Sequence, residues 1–92
     1  VFEDVEIDED CREVFKAGRS VELTLREYEL LCMLVRYQRH ALSRDKLLDG
    51  VWGFDYPGGT RTVDMHINRL RNKLGWQDKI RTVYKIGYRL EH

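Results

Sequence analysis

The chain reads as a small α+β domain, with antiparallel strands first, three helices next and a β-hairpin at the end. Three observations give that class. Residues 1–23 alternate apolar and polar side chains in short runs broken by turn formers, the period-2 signature of strands. From Thr24 to Leu74 the apolar positions recur every three or four residues, as helices require. After Gly75, two short alternating runs (80–83 and 88–90) flank a tight turn.

Each element follows in order. Residues 1–8 place Val1, Val5 and Ile7 against Glu6 and Asp8, a strand with one wet face; Glu9 and Asp10 supply a turn. Residues 11–16 form a second strand centred on Val14 and Phe15, and 20–23 a third. The loop between them is Ala17, Gly18 and Arg19, where Gly18 takes a positive φ without steric cost. Thr24 and Glu27 stand at capping-box spacing, with Leu23 and Tyr28 at the staple positions. The helix that follows, to about Tyr37, is apolar nearly all round and is expected to be covered on two sides.

Ala41 and Leu42 suggest a short strand. Ser43 is an N-cap for a second helix carrying Leu47, Leu48, Val51 and Trp52, which Gly53 ends. The loop from Phe54 to Gly59 holds the only proline. Its aromatics Phe54 and Tyr56, beside Trp52, have two readings: packing over the core edge, or a protein-docking patch. Thr60 is the expected N-cap of the third helix, and Gly75 its C-terminal stop. On that helix Val63, Ile67, Leu70 and Leu74 fall in one narrow stripe, while Arg61, Met65, Asn68, Arg69 and Asn72 lie opposite. Thr62, His66 and Lys73 occupy one shoulder, Asp64 and Arg71 the other. Residues 76–79 read as a polar bend, and 84–87 as the turn of the terminal hairpin.

Charge separates along the chain. Of 92 residues, 16 are Lys or Arg and 16 Asp or Glu, so the formal charge is zero. Residues 1–59 hold eight Lys/Arg against thirteen Asp/Glu, while residues 60–92 hold eight against three. The positive pole therefore coincides with the third helix and the hairpin, and a polyanion partner fits it despite the neutral average. The acidic N-terminal cluster (Glu3, Asp4, Glu6, Asp8, Glu9 and Asp10) would repel a nucleic acid and is expected to face away from one. Cys11 and Cys32 make no disulfide framework, and Cys32 fits a buried helical position; a reducing, cytoplasmic compartment is expected. No apolar run reaches the ~20 residues a membrane span needs. No cofactor is expected. His40, His66 and His92 have no ligand spacing with one another or with the cysteines, and neither a phosphate loop nor a nucleophile elbow occurs, which argues against an enzyme.

A helix, a short connection, a second helix with a basic outer face and then a basic hairpin is the winged helix-turn-helix order. Arginine and asparagine side chains on the outer face are those that pair bidentately with purine edges, and methionine can meet a thymine methyl. Arg61, Met65, Asn68, Arg69 and Asn72 are thus the candidates for base contact. Thr62, His66, Arg71, Lys73, Thr82, Tyr84, Lys85 and Tyr88 are the candidates for the DNA backbone. Asp64 is assigned to orienting a neighbouring arginine or holding the helix N-terminus. A solvated basic face and a winged helix used only for protein contacts are the two rival readings.

The run from Arg61 to Arg71, with Arg81, Thr82, Val83, Gly87, Tyr88 and Arg89, resembles the DNA-binding effector domain of OmpR/PhoB-type response regulators. Leu23, Thr24, Glu27, Tyr28, Leu30 and Leu31 add to the likeness, as do Leu42, Ser43, Arg44, Leu47, Leu48, Val51 and Trp52. The resemblance covers nearly all of residues 1–92, read as one domain. It implies sequence-specific binding of double-stranded DNA and transcriptional regulation, with a phosphorylatable receiver domain preceding Val1. It also implies head-to-tail dimers on direct repeats, a monomer in isolation, and an RNA polymerase contact through the loop bearing Trp52, Phe54, Asp55 and Tyr56. The chain departs from the family where Tyr84 and Lys85 replace a common wing arginine and glycine, and where Asn68 replaces a common basic residue.

Overall fold

The computed structural model describes residues 4–91. Val1, Phe2 and Glu3 of the expected first strand, and His92, lie outside the described residues. The elements run β1 (Val5–Asp8), β2 (Glu13–Lys16), β3 (Arg19–Val21), α1 (Leu25–Arg36), β4 (Leu42–Ser43), α2 (Arg44–Val51), α3 (Arg61–Leu74), β5 (Ile80–Val83) and β6 (Gly87–Leu90). Two antiparallel three-stranded sheets bracket the helices, ordered β1-β2-β3 and β4-β6-β5.

Local chemistry explains where the boundaries fall. β2 begins at Glu13 rather than Cys11 because the Asp8 carboxylate accepts the amides of Asp10 and Cys11 and holds a longer turn. The β2–β3 loop is two residues, Ala17 and Gly18, both at positive φ (51° and 81°), and β3 starts one residue earlier than expected. Thr24 and Glu27 form the full capping box at the start of α1, and the Ser43 hydroxyl caps α2. Thr60 occupies the N-cap position of α3, but its backbone is already helical and its side chain makes no capping bond. Gly75 ends α3 in the left-handed conformation, as its sequence position required.

All four residues of the α3 stripe are fully buried against Leu30, Leu31 and Leu34 of α1, Leu47, Leu48 and Val51 of α2, and Ile80, Tyr88 and Leu90 of the terminal hairpin. At roughly 1.5–3 kcal/mol for each side chain, the stripe contributes on the order of 6–12 kcal/mol before entropy is counted. Two expectations need correction. Helix α1 packs on α2 and α3, but Cys32, Met33 and Val35, part of the apolar surface expected to be covered from a second side, remain only partly buried. Trp76 is no part of a polar bend. It is 1% exposed, and its amide bonds the Arg71 carbonyl to wrap the chain beneath α3.

β4 approaches β6 closely at Gly87, where any Cβ would collide with the Leu42 carbonyl oxygen. Gly87→Ala is expected to lower stability in urea by about 2–3 kcal/mol. Gly59→Ala, whose Cβ would meet open space, should stay within about 0.5 kcal/mol.

Candidate nucleic-acid interface

With its back buried, α3 must present its other face to solvent. Arg61, Met65, Asn68, Arg69 and Asn72 are all exposed along it. Arg69 has no hydrogen-bond or ion-pair partner among the described residues. The Asn68 carbonyl oxygen accepts from Arg71 Nη1 (3.2 Å), which leaves its NH2 to donate outward; the Asn72 oxygen has only a long contact to Gln77 (3.5 Å).

The shoulders of the helix behave differently. Asp64 Oδ1 accepts from Arg44 Nε of α2 (2.9 Å) and from the Tyr88 hydroxyl of β6 (2.5 Å). Partial burial pushes the Asp64 carboxyl up, but Tyr88 and Arg44 outweigh it and hold the pKa below the usual carboxylate value. Burial and the same carboxylate raise the Tyr88 hydroxyl above its ordinary value. Two guanidinium groups lie over the Tyr88 ring, Arg44 at 5.4 Å and Arg71 at 5.5 Å from its centroid. Arg71 in turn donates to the Ile80 carbonyl (2.7 and 3.0 Å) and to the Thr82 hydroxyl (2.9 Å).

On the other shoulder, His66 Nδ1 bonds the Thr62 carbonyl (2.8 Å), so that nitrogen carries the proton. Its ring meets the Trp52 ring edge-on at 4.8 Å, and Trp52 also contacts Tyr56. Trp52 therefore packs on the core edge, whereas Phe54 stands 89% exposed. Lys73 Nζ donates to the Glu27 carboxylate (2.7 Å) and to the Glu22 carbonyl (3.0 Å).

Three backbone candidates thus have partners within the fold, although Lys73 itself stays exposed. Tyr88 is 5% exposed, with its hydroxyl spent on Asp64; Lys73 neutralises Glu27, the only buried acid among the described residues; Arg71 braces the hairpin. A helical wheel assigns faces but is blind to partners that tertiary packing brings to a shoulder. Thr82, Tyr84 and Lys85 are exposed on the hairpin, while Thr62 and His66 are half-buried. Arg44, the arginine that Asp64 orients, was not among the candidate site residues. The available signal was that no lysine or arginine sits three or four residues after Asp64, and Arg61 before it points to the exposed face, so a buttressing cation had to come from another helix. Among the described residues no group of three His, Cys, Asp or Glu side chains could hold a metal ion, and no helix is long and apolar enough to cross a membrane.

Residues 18–90 match the family model described as the C-terminal region of transcriptional regulatory proteins. The chain belongs to that family. It is 49% identical over 90 residues to the transcriptional regulatory protein CseB of Streptomyces coelicolor, covering 98% of this chain and 38% of that protein. The DNA-binding domain of Bacillus subtilis CssR superposes with a TM-score of 0.86 at 39% identity, over 94% of this chain and 98% of that one. The RstA DNA-binding domain of Klebsiella pneumoniae, solved in complex with the RstA box, gives 0.86 at 32% identity, over 99% and 94%. The fold is the OmpR/PhoB winged helix, and the family is one of response-regulator output domains that bind DNA, not of enzymes. The chain spans about two fifths of the length of the curated relatives it matches.

The Glu27–Lys73 pair yields a prediction with a sign. Burial raises the Glu27 pKa, but the Lys73 ammonium, the Thr24 amide and the more distant His66 together carry it below 4.5. A depressed folded-state pKa contributes stability above the unfolded value, and that contribution is lost as pH falls through the folded one. Lys73→Ala should cost about 2 kcal/mol near neutrality. It should also blunt the acid-induced loss in urea titrations across pH 3–6, and leave the salt dependence of DNA binding unchanged.

Proposed function

We propose that α3 enters the major groove of double-stranded DNA while the β5–β6 hairpin, the wing, lies on the adjacent backbone or minor groove. One observation carries this reading: a cationic, amide-rich helix face, on which Arg69 has no partner among the described residues, stands exposed over a fully buried aliphatic stripe. Arg69 is the reader of guanine O6 and N7. Asn68, its NH2 turned outward by Arg71, donates to a purine acceptor, and Asn72, held only by its long contact to Gln77, pairs with adenine. Arg61 and Met65 complete the base-facing set. Thr62, His66, Thr82, Tyr84 and Lys85 position the domain on phosphates without reading sequence.

In the whole protein this domain is the output of a two-component system in the cytoplasm. A preceding receiver domain would govern head-to-tail pairing on direct repeats, with the isolated domain monomeric. The loop bearing Trp52, Phe54, Asp55 and Tyr56 would meet RNA polymerase; the exposure of Phe54 supports that role. Selection of duplexes from a random pool tests the reading, which predicts half-sites about one helical turn apart and fails if no sequence is enriched.

Two substitutions separate reading from positioning. Arg69→Ala should cost about 1–3 kcal/mol on the selected site and relax preference at one base pair. Lys85→Ala should weaken selected and scrambled duplexes alike and lower the salt slope by about one unit.

A further inference from the structure

Asp64 and Arg71 are seven residues apart, so they occupy one shoulder of α3 two turns, or about 10 Å, from each other. Both grip the hairpin. Asp64 takes the hydroxyl of Tyr88 on β6, and Arg71 takes the Ile80 carbonyl and Thr82 hydroxyl of β5 while its guanidinium lies over the Tyr88 ring. Arg44 covers the ring from α2 and bonds Asp64, so the two grips share one aromatic side chain. One attachment point would act as a pivot; two points on a rigid rod fix an angle. Among the described residues, the tip beyond Val83 and Gly87 is tied only to itself, through the Ile86 amide and the Val83 carbonyl, with Tyr84 82% exposed. The direction of the tip is therefore set at its base.

We propose that Asp64, Tyr88 and Arg71 form a two-point clamp that holds the wing at a fixed angle to α3, making Tyr88 and Asp64 positioning residues for a DNA contact they do not touch. This rests on the groove-binding reading above. The preset angle fixes the distance between the base pairs that α3 meets and the phosphates that Lys85 meets. The hydroxyl of one buried tyrosine is then a determinant of affinity.

The test uses Tyr88→Phe, which keeps the ring beside its guanidinium neighbours and removes no charge, on a duplex selected by the wild-type chain. The salt slope should fall by about one unit, as with Lys85→Ala, and the double variant should fall no further. The Arg69→Ala penalty should be the same in both backgrounds. Residual dipolar couplings on the free chain should show a single wing orientation in the wild type and a broadened one in Tyr88→Phe, with the helices unchanged. The clamp is overturned if the slope holds, if Lys85→Ala lowers it equally in both backgrounds, or if it falls with the wing still rigid. A wild-type chain that enriches no duplex would instead sink the groove-binding reading itself.

Discussion

Four aliphatic side chains on one stripe of α3 hold the helix by its back, and the rest of the molecule is arranged around that attachment. Val63, Ile67, Leu70 and Leu74 are each fully buried, so the rod cannot roll without exposing a methyl-rich seam to water. A helix fixed in rotation has its opposite face fixed as well. The exposed arginine and asparagine tips are thereby presented in a defined geometry before any ligand arrives, which reduces the ordering entropy that binding must overcome.

Neutrality of the whole conceals how the charges are used. The acids on β1 and its turn stay in solvent, where a carboxylate costs little. Two others act within the fold. Glu27 completes the cap of α1 and draws Lys73 inward, joining the start of α1 to the end of α3. Asp64 draws Arg44 and Tyr88 to the other shoulder. Several cations that look available in the sequence are thus occupied, and Arg69 on α3 and Lys85 on the wing are exposed with no acid paired to them among the described residues. Removal of competing internal partners suits an arginine for an external one.

The closeness of β4 to β6 belongs to the same design. Gly87 lets the Leu42 carbonyl approach where any side chain would obstruct it, and the strand pairing that results carries Tyr88 under α3. The wing is thereby part of the core at its base and free only at its tip.

The capping box at Thr24 and Glu27, the Gly75 stop, the α3 stripe and the outward set from Arg61 to Asn72 were all legible in the sequence. Each depends on residues within a few positions of one another, and helical periodicity relates them without knowledge of the fold. The α1 flank, the placement of Trp76 and the internal partners of Lys73, Arg71 and Tyr88 were not. Those depend on partners 46, 9 and 24 residues away respectively for Lys73, Arg71 and Tyr88. The sequence alone determined which face of each helix is apolar, because that follows from a period. Which cations remain free to meet a polyanion was decided only by tertiary packing, because a cation is engaged by whatever acid, carbonyl or ring lies within a few ångströms, however distant along the chain.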